Sequence, residues 1–354
     1  MASNLRVAVV GATGAVGGAM VRILEERRFP VGQLRLFATS RSAGKSVPFH
    51  RTPVIVEETG DELLEADLVL FAGGDDASRR YAWAVAERGG VVVDNSSTWR
   101  MDPRVPLVVP EVNGHALARH HGVIANPNCT TAALVMGLKP LHEAFGIRRA
   151  VVATYQSVSG GGIDNMRALL EHTRKLLEVP DALEAGDLDR IAAAAGTASP
   201  VAFNVRPQWK WQPDGDTEEE AKVVAETRKI MEADIPVSVT TMRVPVLVGH
   251  TLVVHLELTR PADSDEARRA LLAFPGVEVV DDPANDRVPT PQLAAGRDPV
   301  YVGRVRKDPF DPHALRFVIT SDNLRKGAAL NAVQIAEHLL AAGRLRSRAA
   351  LATS

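Results

Sequence analysis

The stretch LRVAVVGATGAVGGAMVRILEER, residues 5–27, constrains the fold more than any other part of the chain. Its first six residues are apolar enough for a buried strand. Directly after the turn, Ala15, Val16, Ala19, Met20, Ile23 and Leu24 recur at helical spacing. Between strand and helix, Gly11, Gly14 and Gly17 form a G-x-x-G-x-x-G turn. Gly11 and Gly14 let the backbone turn tightly and approach a pyrophosphate, while the helix N-terminus supplies N–H groups and a favourable dipole. Any tight turn asks for glycine, so the strand–loop–helix setting is what points to a dinucleotide. The expected cofactor contacts at this end are Gly11, Thr13, Gly14, Ala15 and Val16.

An NAD site usually has an acid at the end of the second strand to hold the ribose hydroxyls. Here that strand ends in FATSRSAGK, without an acid but with Arg41, Ser42 and Lys45. A carboxylate would repel a 2′-phosphate, whereas Arg41 and the hydroxyls can hold one. NADP is therefore expected, the alternative being a merely solvated basic loop.

Further strands are expected at 33–39, 67–73 and 90–96, with a helix in DASRRYAWAVAERG between the last two. Apolar strands alternating with helices imply a parallel sheet with right-handed crossovers. A helix bent at Pro140 is expected after residue 129. Beyond it the pattern changes: RRAVVATYQSV, VSVTTMRVPV, HTLVVHLELT and ALRFVITSD alternate, as in a largely antiparallel sheet with one solvated or interface face. Residues 292–308 read as a connection and a strand, and NLRKGAALNAVQIAEHLLAAGRL as an amphipathic helix. The segment 204–216 is rich in proline and tryptophan, and Trp209 and Trp211 carry no assigned role.

The chain has 354 residues, a formal net charge of −2 and mixed signs throughout, which favours a small-molecule partner over nucleic acid. The N-terminus runs straight into the strand without the pattern of a signal peptide, and no apolar run approaches the roughly 18 residues that cross a bilayer. The single cysteine excludes an internal disulfide and fits a reducing cytoplasm. That residue, Cys129 in IANPNCTTAAL, lies where a loop enters a helix, a position that favours a thiolate. Asn128 beside it could donate to an oxygen that becomes negative during acyl transfer. A buried small hydrophobe remains the alternative at this point.

GATGAVG, RSAGK, VDNSSTWRMD, PLVVPEVN, ANPNCTT, YQSVSGGG, FNVRPQ, RVPVLVGHT and SDNLRKGAALNAVQIAE, in that order, resemble the motif series of the aspartate-semialdehyde dehydrogenases. The resemblance implies an α/β chain with an N-terminal Rossmann-type NADP domain over 1–129, to which a C-terminal helix, 322–345, returns. It implies an α+β catalytic and dimerisation domain with a largely antiparallel sheet over 130–321. The implied reaction is reduction of 4-phospho-L-aspartate by NADPH through an acyl thioester on Cys129, releasing phosphate, in a homodimer or homotetramer and without a metal. By the same resemblance His250 exchanges protons, a task suited to histidine near neutral pH. Gln156 orients the substrate or the nucleophile, and Ser159 and Gly160 admit the nicotinamide. Arg100 and Lys222 take the phosphate, Glu219 the substrate amino group and Arg243 its α-carboxylate. Asn323, opening the last helix, contacts the nicotinamide end. The rival assignments are an N-acetyl-glutamyl-phosphate reductase type and a silent NADP-binding relative. The set Cys129, Gln156, Arg243 and His250 argues against silence.

Overall fold

The computed structural model describes residues 5–208 and 210–347; Trp209 lies outside the described residues. Contacts divide the chain into two units. The first comprises Met1–Lys139, Ala225–Asp234 and Leu324–Ser354, and the second Pro140–Val224 and Ile235–Asn323.

Among the described residues, the first unit carries seven strands: β1 (Leu5–Val10), β2 (Val31–Ala38), β3 (Ser46–Phe49), β4 (Thr52–Glu58), β5 (Leu68–Phe71), β6 (Val91–Asp94) and β7 (Val123–Ala125). Their order is β3-β4-β2-β1-β5-β6-β7, and only the β3–β4 pair is antiparallel. The chain runs outward in both directions from β1, so the sheet has a crevice at the carboxyl ends of β1 and β5, where such folds bind ligands. The loops after β1, β5, β6 and β7 all emerge at this edge, which brings the glycine turn and the Cys129 corner to one end of the sheet. Val7, Val9, Leu70 and Ile124 from the strands share a core with Met20, Ile23 and Leu24, and the last helix adds Leu330, Val333, Ala336 and Leu339.

The β3–β4 hairpin carries no signal in the sequence, for a physical reason. Its turn residues His50 and Arg51 both have positive φ, at 48° and 63°, without the usual glycine or asparagine. Pro48 and Pro53 face each other across an edge pair, where a missing N–H is tolerated.

The second unit holds β8 (Ile147–Gln156), β9 (Arg206–Pro207), β10 (Val237–Arg243), β11 (His250–Leu258), β12 (Val277–Val279), β13 (Val300–Lys307) and β14 (Ala314–Ser321). In the order β12-β13-β14-β11-β8-β10-β9, four of the six pairings are antiparallel; β12–β13 and β8–β10 are parallel. The alternation read from sequence appears directly: Val151, Tyr155 and Val253 are exposed on one face, while Val152, Val254 and Leu256 are buried on the other. Helices Ile163–Leu176, Pro180–Ala185 and Leu188–Ala195 build a satellite core around Leu169, Leu176 and Ala195.

Candidate active site

In the first unit, the glycine turn is built as its residues demand. Gly11 has φ +77°, and a Cβ there would lie 2.6 Å from Ala72 O. A Cβ on Gly17 would lie 2.1 Å from Gly11 O, so Gly17 lets the helix press against the turn. The helix Ala15–Glu26 begins with Gly14 as N-cap, with no side-chain cap and no acid in its first turn. Thr13, Ala15 and Val16 are partly exposed around that end, a ready place for a phosphate. No acid ends β2; Arg41 is exposed on a 3₁₀ turn, Ser40–Ser42, and Lys45 Nζ donates to Ser42 Oγ at 3.4 Å.

Cys129 is the first residue of the helix Cys129–Phe145. Asn128 Oδ1 accepts from Thr130 N at 2.8 Å and caps that helix. The side-chain oxygen thus satisfies a first-turn N–H of the helix. The Asn128 N–H donates at 2.7 Å to Glu226, whose other carboxylate oxygen accepts from Arg100 Nη1 at 3.0 Å. Arg100 lies in the turn six residues beyond β6, not at its end, and its Nε and Nη2 donate to the carbonyls of Asn126 and Asn95. Lys229, one turn after Glu226, donates to the carbonyls of Arg100, Asp102 and Val105. These contacts explain why Ala225–Asp234 belongs with the first unit, which no periodicity signals.

The last helix departs from the single α-helix expected over 322–345. Arg325–Ala329 is π-helical, and the α-helix proper is Leu330–Ala341. The wider turn sends the buried Lys326 onto Glu111, Asn331 Oδ1 and Gln334, while Asn331 Nδ2 donates to Asn126 Oδ1 at 2.7 Å. It also sets Gly327 against Cys129: a Cβ at Gly327 would lie 2.8 Å from Cys129 Cβ. Such π-turns concentrate at functional sites.

The second unit gathers its site by register. Gln156 ends β8, and Arg243 ends the parallel neighbour β10 directly opposite it. His250 begins the antiparallel β11, so all three side chains meet at one sheet end. Gly249 turns the chain into β11 with φ +98°, where a Cβ would meet Pro291 Cα at 2.9 Å. His250 is fully buried, and its Nδ1 accepts from Ser157 N at 3.1 Å. The neutral ring therefore carries its hydrogen on Nε2. Burial, aided by the Arg243 guanidinium, pushes the imidazole down to about 3. The folded chain by itself therefore holds the imidazole in its neutral form.

Gln156 Nε2 donates to Glu219 Oε1 at 2.9 Å, and Gln156 Oε1 accepts from Thr154 Oγ1. Lys222 pairs with Glu218 at 2.5 Å, four residues back on the helix Glu218–Met231. The triple glycine is an ordered 3₁₀ turn, Val158–Gly161, in which a Cβ on Gly160 would come within 3.3 Å of Arg243 and 3.6 Å of His250. Asn323 precedes the last helix and is grouped by its contacts with the second unit. Its Oδ1 accepts from Ser157 Oγ, Ser159 Oγ and Gly249 N.

The chain matches two family models, "Semialdehyde dehydrogenase, NAD binding domain" over residues 6–120 and "Semialdehyde dehydrogenase, dimerisation domain" over 138–326. An aspartate-semialdehyde dehydrogenase of Shewanella violacea is 45% identical, covering 96% of this chain and 99% of its own. The chain belongs to the aspartate-semialdehyde dehydrogenase family. Another relative of that name, from Streptomyces akiyoshiensis, is 47% identical over 94% of this chain and 98% of its own. The crystal structure of aspartate semialdehyde dehydrogenase II complexed with ASA from Vibrio cholerae superposes with a TM-score of 0.87 at 40% identity, covering 96% of this chain and 98% of that one. As an aspartate-semialdehyde dehydrogenase family member, the chain is an oxidoreductase of amino-acid biosynthesis with a nicotinamide-dinucleotide domain. Among the described residues no helix is long and apolar enough to cross a membrane.

Gly327 and Glu226 hold the Asn128–Cys129 corner in place without a local sequence signal, because each makes its contact with a residue distant in the chain. Gly327→Ala would crowd Cys129 by the distance given above. The expected cost is about 1–3 kcal/mol of stability. Displacing Cys129 should also lower kcat by roughly 10- to 100-fold, with NADPH affinity kept, as checked by single-turnover kinetics and cofactor titration.

Proposed function

We propose that the chain reduces 4-phospho-L-aspartate with NADPH to L-aspartate 4-semialdehyde, through a thioester on Cys129. The observation that carries this reading is the seat of the only cysteine: first residue of an Asn128-capped helix, backed by a glycine that leaves it room. The Cys129 thiolate attacks the acyl carbon, the acyl–oxygen bond breaks and phosphate leaves with the bonding electrons. NADPH, when bound, supplies the hydride that converts the thioester to a thiohemiacetal. Collapse of that adduct restores the thiolate and frees the aldehyde.

The chain's other residues bind and orient. Arg100 and Lys222 take the phosphate, Glu219 the ammonium and Arg243 the α-carboxylate, while Gln156 steadies Glu219 through the bond described above. The His250 Nε2–H donates to the oxygen that turns negative at the acyl carbon. To act as a full acid the ring must take a second proton, on Nδ1, which Ser157 Oγ at 3.1 Å can accept. A substrate carboxylate on Arg243 cancels the electrostatic part of what holds the ring neutral. For the cofactor, the glycine cradle and the uncapped helix start suit a pyrophosphate, and Arg41 with Ser42 suits a 2′-phosphate. Ser159, Gly160 and Asn323 line the nicotinamide end.

The proposed division of labour gives residues 1–129 and 322–345 to NADP and 130–321 to catalysis and self-association. Val151, Tyr155 and Val253, between 38% and 41% exposed on one sheet face, fit a homodimer surface. The product would feed lysine, diaminopimelate, threonine and methionine synthesis in the cytoplasm. The deciding experiment is phosphate-dependent NADP reduction with aspartate semialdehyde, run beside N-acetyl-glutamate semialdehyde. Turnover of the second alone, or of neither, overturns the reading.

Arg41→Ala should raise KM for NADPH by roughly one to two decades, the worth of a charge-assisted hydrogen bond, and leave KM for NADH nearly unchanged. Equal losses would remove Arg41 from 2′-phosphate recognition.

A further inference from the structure

The Arg243 guanidinium is braced on two sides within the second unit. Nη1 donates to Ser157 O, and Nη2 donates to Gln208 Oε1 at 3.2 Å. Gln208 follows the edge strand β9, which pairs Arg206 opposite Arg243, and its N–H donates to Thr241 O at 3.0 Å. This pairing lays the glutamine alongside the arginine. Only an acceptor can face an arginine N–H, so the carboxamide orientation follows: Oε1 toward Arg243, and the –NH2 on the other branch. Gln208 is 5% exposed, and its Nε2 is buried without a hydrogen-bond partner among the described residues. Folded proteins satisfy nearly all such donors, and an unmade one penalises the folded state. A donor left open beside a cation that binds anions is poised for part of the same anion.

We propose that Gln208 Nε2 is a second donor to the substrate's α-carboxylate, next to Arg243, and that it makes the site selective for substrates carrying that group. This rests on the reading that Arg243 holds the α-carboxylate. A carboxylate offers about four lone-pair sites over two oxygens and accepts from both residues. Arg243 supplies the charge, and Gln208 supplies direction, since an uncharged amide donates along a fixed line. A second effect of Gln208, bracing Arg243, predicts a different outcome for one substitution, and this makes the two separable.

The test uses the full chain in the semialdehyde-oxidising direction, with aspartate semialdehyde varied at saturating NADP and phosphate. Gln208→Glu keeps an oxygen toward Arg243 but replaces the donor by a carboxylate facing the substrate's own. KM for aspartate semialdehyde should rise by roughly 10- to 100-fold, the span of a hydrogen bond to a charged group, with KM for NADP unchanged and a single cooperative melting transition retained. Gln208→Met, close in shape, should raise KM as well. With 3-aminopropanal, the substrate lacking only its α-carboxylate, kcat/KM (or its inhibition constant, where turnover is slow) should be the same in wild type and both variants.

A wild-type KM in Gln208→Glu together with a raised KM in Gln208→Met would reduce Gln208 to a brace and overturn the proposal. Equal losses with both substrates would also overturn it, by showing a general structural defect. Failure of the wild-type chain to oxidise aspartate semialdehyde would overturn the proposed function, and this inference with it; that outcome is recognised before any variant is compared.

Discussion

Cys129→Ser is expected to abolish turnover almost completely while leaving the fold and NADPH affinity intact. The substitution is nearly isosteric, and the Asn128 cap, the Glu226 bond to Asn128 N and the fit against Gly327 involve no sulfur atom that serine lacks in shape. What is lost is chemical: an alkoxide is far less accessible than a thiolate near neutral pH, and an oxygen ester is a poorer acyl carrier. One equivalent of an alkylating reagent should inactivate the wild type, and substrate should protect against it. Mass spectrometry of the enzyme mixed with 4-phospho-aspartate without cofactor should show the acyl adduct on the wild type only. Substantial activity in the serine variant would sink the thioester mechanism and leave the dinucleotide turn as the firm functional feature.

His250→Asn is expected to lower kcat by roughly 100- to 1,000-fold, the range for loss of one donor to a developing oxyanion, with smaller changes in both KM values. The same variant carries a signature in stability. His250 is held near 3 in the folded chain, against about 6.5 for a free histidine. As pH falls from about 6.5 toward 3, the unfolded chain takes up a proton that the folded chain refuses, so stability declines by up to about 1.4 kcal/mol per pH unit. Above that window the group contributes no pH dependence. Melting curves of wild type and His250→Asn should therefore differ in slope between pH 6.5 and 4, with the wild type the steeper, whatever their offset. Parallel slopes would show that the folded-state imidazole protonates as easily as a free one. If the substrate carboxylate sits on Arg243 as proposed, adding aspartate semialdehyde should flatten the wild-type slope by easing protonation of His250.

Much of this molecule is local, and the sequence by itself determined that part. A strand of Val and Ala, a turn that only glycine can make at position 11 and a helix with apolar residues at helical spacing are short-range facts, so the dinucleotide unit was legible in the first 27 residues. The alternation of the later strands similarly identified a second, largely antiparallel sheet. Cys129 drew attention through its position at a helix start, and the ordered series of motifs selected His250, Arg243, Gln156 and Glu219 from many chemically similar residues.

Tertiary structure decided what depends on register and on contacts across the chain. The β3–β4 hairpin was hidden because its turn is closed by His50 and Arg51 in place of glycine. Lys222 chose Glu218 because, on a helix, four residues back is as near as three, and Glu219 was taken by Gln156 from another strand. The Asn128 oxygen became a helix cap, since the first-turn N–H groups of a buried helix must be satisfied where they stand. Gln208, Glu226 and Gly327 touch Arg243, Asn128 and Cys129 across separations of 35, 98 and about 200 residues, with nothing in their own neighbourhoods to mark them. His250 could be named from the sequence, but its protonation state could not: a pKa is set by the dielectric and the charges around a group, and these exist only once the chain has packed.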